Sequence, residues 1–365
     1  MAGVLVGAVS WLSACAPGPA KSPAQGGAAW ARLTTPHFTL YTDAPADEAR
    51  EVAGAFEEIY GALEDVGLPG PHAPAGPVEV AFFHDREVFR GLVPDAYYDD
   101  LLPKNDFRPV GPDAYFRPLH GRESHDPDRK PMLALYATGL QFDQRLPTRL
   151  SSALRHQLTH RLVAHDLPAA PTWLHEGLAS FNETITLKSE GQMKVGEAPW
   201  WFPFYDDSTV VLNRSFGQAE VKFSRADLPS AASLVAADHE ALFRRDASPE
   251  AIKAKMLVKT GSWTLVRTLQ LGAPPFRAAF AQYLAALKRG DEPRAAWAAA
   301  LRGNGITPER LEAEYRATSD RWVSDHDTRA YAPRRPAQAQ VRPMSEAEVH
   351  VLWARVAPWH GDHLT

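Results

Sequence analysis

An α+β fold, a small N-terminal sheet with helices followed by a mainly helical part, is what the sequence predicts. Three observations carry that reading. Short alternating or continuous apolar runs fall within the first 140 residues, at 37–41, 78–83 and 132–137. From residue 148 onward the apolar positions recur at helical spacing. No internal repeat is present, so strands precede helices within one architecture instead of alternating with them. A length of 365 residues allows about two domains' worth of core.

The elements follow in order. His37-Phe38-Thr39-Leu40-Tyr41 alternates as a strand does. In 46–66, Val52, Phe56, Ile59 and Leu63 form one apolar stripe, and Gly67 and Pro69 end the helix. Residues 78–83 read as a second strand and 86–92 as a short helix. Residues 93–130, rich in Pro, Asp, Gly and Arg, read as a long excursion with little regular structure, and 132–137 as a third strand. Helices are expected over 148–165, 171–187, 261–271, 275–287, 294–301 and 308–322. A Pro/Arg/Gln-rich stretch at 332–343 precedes a last helix at 345–356. The predicted organisation is a leader (1–15), a tether (16–32), one domain (33–323, divided at 140/141 into an α/β and a helical subdomain) and a tail (324–365).

Composition narrows the function classes. The chain carries 39 Lys plus Arg against 44 Asp plus Glu, a formal charge of −5, with no long basic block. That balance argues against nucleic acid as a partner. One cysteine excludes an intrachain disulfide framework and a Cys₄ zinc site. It lies in Leu12-Ser13-Ala14-Cys15, at the end of an apolar segment without charge, and the first lysine is Lys21. Small residues before a cleavage point mark an exported chain. Leu-Ser-Ala-Cys is similar to a bacterial lipobox, which implies that Cys15 is lipidated and that the protein is tethered to a membrane of the cell envelope. The Ala/Pro/Gly-rich segment that follows suits a flexible tether. No Gly-x-Ser-x-Gly elbow or phosphate-binding Gly-rich loop is present.

Four of the 14 histidines (His156, His160, His165 and His175) lie within 20 residues. His156 and His160 are four apart on a strongly helical pattern, so both imidazoles leave one face. Sixteen residues beyond His160, Glu176 in Trp173-Leu174-His175-Glu176-Gly177-Leu178-Ala179 offers a carboxylate on a second helix, after a turn at 166–171. Two His and one Glu form a catalytic-type zinc ligand set with a position open for water.

The segment Leu154-Arg155-His156-Gln157-Leu158-Thr159-His160-Arg161-Leu162 resembles the Leu-Arg-His-Glu-Leu-Thr-His helix of the peptidase MA-like, or gluzincin, metallopeptidases, and Trp173–Ala179 resembles that family's Trp-Leu-x-Glu-Gly-x-Ala element. The resemblance extends over about 33–322, with Gly261-Ser262-Trp263 similar to a later helix start. It implies zinc held by His156, His160 and Glu176, and a peptide or protein ligand. The family's general base follows the first histidine, and here that residue is Gln157. An amide cannot accept a proton near neutral pH, and losing a general base costs about 10²–10⁴-fold. The expectation is therefore a zinc-binding, peptidase-like lipoprotein that is weak or inactive as a peptidase. An active zinc peptidase of the envelope and a metal-free partner-binding scaffold are the alternatives. The family's Tyr before the Ser-Trp element is also missing from Val258-Lys259-Thr260.

Asn182 and Glu183 are candidates to orient a ligating imidazole or are exposed helix polars. His120, His125, Asp126 and Asp128 read as a solvated loop, and Tyr97, Tyr98, Trp200, Trp201 and Phe202 as aromatics that pack beneath a long loop.

Overall fold

A computed structural model describes residues 21–66, 77–85, 88–89, 92, 114–117, 132–136, 148–188, 191–199, 209–214, 217–237, 248–320, 326–332 and 339–356. The α+β architecture is as expected. A six-stranded sheet is built from β1 (Ala31–Thr34), β2 (Phe38–Thr42), β3 (Val78–Phe83), β4 (Ala114–Arg117), β5 (Met132–Tyr136) and β11 (Gln340–Pro343), in the order β11-β1-β2-β3-β5-β4. The middle of it, β2-β3-β5, is parallel, and both flanks are antiparallel.

A parallel strand needs cover on both faces, and β3 shows how the alternation provides for it. Val80 and Phe82 face the core that contains Val52, Phe56, Ile59 and Leu63 of α1 (Ala46–Val66), the helix joining β2 to β3. Ala81 and Phe83 turn the other way, onto Trp30 and onto Val349, Leu352, Trp353 and Val356 of α9 (Glu346–Val356). Each large apolar side chain so buried contributes about 1.5–3 kcal/mol.

Past the sheet, α2 (Thr148–Asp166), α3 (Thr172–Asn182), α4 (Ala231–Ala236), α5 (Pro249–Leu271), α6 (Pro274–Lys288), α7 (Pro293–Gly303) and α8 (Pro308–Asp320) form the helical part. Between them lie an antiparallel three-stranded sheet in the order β10-β7-β6 (Asp327–Ala330, Gln192–Val195, Thr186–Leu187) and a hairpin, β8 (Thr209–Arg214) with β9 (Gly217–Lys222). The core of α1, α2, α3, α5, α6 and α7 is continuous, with Trp173, Trp263, Tyr283 and Phe276 fully buried in it.

Four expectations change. The helix expected at 261–271 begins at Pro249, because Ser248 caps it by accepting from the Ala251 N–H and proline occupies its first turn. Gly261-Ser262-Trp263 is therefore the middle of α5, not a helix start. The helix expected over 171–187 ends at Asn182. Thr184 donates to the Phe181 carbonyl, and Thr186–Leu187 then pair with β7. The 93–130 excursion contains a strand, β4, whose Tyr-Phe core pairs with β5. Residues 31–32, expected in the tether, belong to β1, and the expected tail supplies its outer neighbour β11 and the covering helix α9. The 86–92 helix lies largely outside the described residues. Among the described residues, no helix is long and apolar enough to cross a membrane.

Candidate metal centre

Helix α2 buries Leu154, Leu158 and Leu162 on the core side and carries His156 and His160 on an adjoining face. After the 167–171 turn, α3 folds back against α2 and lies across the middle of α5. Gly177 makes that crossing possible. A Cβ on it would meet the Ser262 carbonyl oxygen and Val266 Cγ2, each at 2.6 Å, so only glycine lets the two backbones approach so closely. Glu176, its neighbour, is thereby delivered to the two histidines.

One ligand atom from each of His156, His160 and Glu176 lies within 4.8 Å of the others. The two imidazole Nε2 atoms are 3.1 Å apart, and His160 Nε2 is 3.6 Å from Glu176 Oε1. The three side chains are only 12–17% exposed. This group could hold a metal ion.

Glu183 fixes the orientation of His156, its Oε2 lying 2.7 Å from His156 Nδ1. A carboxylate only accepts, so Nδ1 carries the proton and Nε2 presents its lone pair to the group. Glu183 is itself held by Arg155, whose Nε and Nη2 donate to the Glu183 carbonyl at 3.1 and 2.8 Å. Burial brings the Arg155 guanidinium down to about 10, with Glu183 opposing, and leaves it charged at neutral pH. Asn182 takes a different part. Its Nδ2 donates to Thr159 Oγ1 at 3.2 Å, tying α3 to α2 between the two histidines rather than touching either one.

The electrostatics favour a deprotonated set. Burial holds the His160 imidazole down at about 3, with Glu176 opposing. For Glu176, burial acts upward, but Lys259, then His160 and His156, outweigh it and hold the carboxyl down at about 2. Lys259 Nζ lies 3.5 Å from Glu176 Oε2. A neutral imidazole at His160 and an ionised carboxylate at Glu176 are protonation states a divalent metal requires, and two imidazole nitrogens with one carboxylate oxygen are a donor set that fits such an ion.

Gln157, on the helix between the histidines, is half-buried and has no side-chain hydrogen-bond partner among the described residues. His175 lies outside the three convergent ligands. Its ring stacks on His160 with centroids 6.1 Å apart. Burial lowers its affinity for a proton. His165 bonds its neighbour Asp166 instead, at 2.7 Å. Sequence reasoning passed over Lys259 as a site residue because only the crossing of α3 and α5 places it there. Cys15, Tyr97, Tyr98, His120, His125, Asp126, Asp128 and 200–202 lie outside the described residues. No protein-family model matches the chain, and no curated protein is significantly similar to it.

Proposed function

We propose that the protein is a zinc-binding, gluzincin-like lipoprotein of the cell envelope, weak or inactive as a peptidase, whose site receives a peptide or protein ligand. The observation that carries the reading is the convergence of His156 Nε2, His160 Nε2 and Glu176 Oε1, two nitrogens and one oxygen on largely buried side chains. Zinc, when bound there, supplies Lewis acidity toward a carbonyl and acidity toward water. The protein's own contribution is positional. Glu183 keeps the proton of His156 on Nδ1, and Asn182 and Thr159 hold α3 against α2.

The missing activity follows from one residue. Where proton abstraction would need a carboxylate, Gln157 offers an amide. His175 does not substitute for it, since it lies outside the convergent group and burial lowers its affinity for a proton. Cys15 would carry the lipid.

Metal content and activity test the reading together. The purified protein is expected to hold about one zinc per chain, and His156→Ala and Glu176→Ala to hold none. Peptide hydrolysis is expected near background in the natural sequence and to rise at least about tenfold in Gln157→Glu, where a base returns. Chelator-sensitive hydrolysis at full strength with Gln157 in place would reject the inactive reading, and a metal-free protein would reject zinc. Cys15→Ser is expected to release the protein from membranes.

A further inference from the structure

Lys259 comes to the site from α5, remote in sequence from both motifs. The Glu176 carboxylate is divided between two environments, with Oε1 turned to the His160 imidazole at 3.6 Å and Oε2 to the Lys259 ammonium at 3.5 Å. The ammonium cannot easily swing clear. Its backbone is set by the close approach of α3 and α5 at Gly177, and its side chain is only 21% exposed. The other groups around Glu176 are two imidazoles from α2 and the His175 ring on α3, while Lys255, one turn before Lys259 on α5, is itself buried.

Charge bookkeeping gives the consequence. The carboxylate of Glu176 faces the Lys259 ammonium through Oε2, and Gln157 adds no charge of its own. Glu183 places a second carboxylate on the far nitrogen of His156. The site thus supplies the Glu176 carboxylate with a cation of its own.

We infer that Lys259 is a built-in countercation of the metal centre. It keeps Glu176 paired when no ion is bound, and it stands against a divalent ion when one arrives, so that metal is held exchangeably. The inference rests on the zinc reading above and adds to it a residue that regulates occupancy. Lys259 acts through Glu176 and is a positioning residue, not a catalytic one.

The test is zinc affinity of the full chain, measured by competition with a chromophoric chelator. Lys259→Met and Lys259→Gln remove the charge, the second keeping a hydrogen-bond donor in case the first folds poorly. Both are expected to bind zinc about tenfold or more tightly than the natural protein, with Lys259→Arg within about threefold of it. The rise in thermal midpoint on adding zinc is expected to be larger in the neutral variants. Unchanged or weaker affinity in both, with zinc still bound by the natural protein, would overturn the countercation role. Failure of natural and variant proteins alike to take zinc from the chelator would overturn the zinc reading, and the inference with it.

Discussion

Two partly buried histidine–carboxylate clusters, one in each half of the molecule, have nearly the same components and opposite character. In the sheet half, Glu57 of α1 accepts from Thr35 Oγ1 at 2.6 Å and the His37 N–H at 2.9 Å through Oε1, and pairs with His37 Nδ1 at 2.6 Å through Oε2. The His37 ring then stacks on Tyr60, 4.2 Å between centroids. Each carboxylate oxygen is met by donors, and the cluster rivets the β1–β2 turn to α1. In the helical half, Glu176 meets a lysine on one oxygen, while its other oxygen joins two imidazole nitrogens that point at one another. Burial alone therefore does not distinguish a structural histidine from a ligand. What does is whether lone pairs converge or are each satisfied by a donor.

That contrast can be broken at either cluster. The largest effect is expected from removing ligands: His160→Ala should abolish stoichiometric zinc, whereas His37→Ala should retain it, both read by metal analysis of folded protein. Glu183→Gln should come next, weakening zinc about 10–100-fold in a chelator competition, since it loosens the orientation of His156 without removing a ligand. Gly177→Ala should cost about 1–3 kcal/mol in urea unfolding, because the added methyl drives α3 from α5, and should lower zinc affinity at the same time. Glu57→Gln should cost about 1–3 kcal/mol while leaving zinc affinity unchanged, which separates the rivet from the site.

The pH dependence should follow the second cluster. His160 has a folded-state pKa near 3, below its unfolded value of 6.5, so the unfolded chain binds more protons between these limits. Glu176, near 2 against 4.5, acts in the same direction lower down. Metal-free stability should fall progressively as pH drops from about 6.5 toward 2, and this slope should flatten in His160→Gln. Urea midpoints measured across that range check it.

Much of this was legible in the sequence, and what was not has a physical reason. The stripe of α1, strands β2, β3 and β5, and the pairing of His156, His160 and Glu176 all follow from local periodicity and spacing. Strands β4 and β11 do not. Edge strands of four residues depend on partners elsewhere in the chain, and Gln340–Pro343 sits in a segment whose Pro/Arg/Gln composition signals a loop. The start of α5 was missed although Ser248-Pro249 is an ordinary cap, because the lysines at 253, 255 and 259 mask its apolar face. Two of them turn inward, Lys255 buried and Lys259 to Glu176. A charge buried for the sake of a site breaks the pattern by which helices are found.

The pairing of β1 with β11 has a consequence for how the chain is made. Ala31–Thr34 leaves the ribosome well before Gln340–Pro343, and α9, which covers Trp30 and Phe83, follows later still. Until then the outer edge of β1 has no partner and one face of the sheet has no cover. Such long-range closure is slow. Strand β1 must therefore wait for β11, and the sheet stays open at that edge until Gln340–Pro343 has been made.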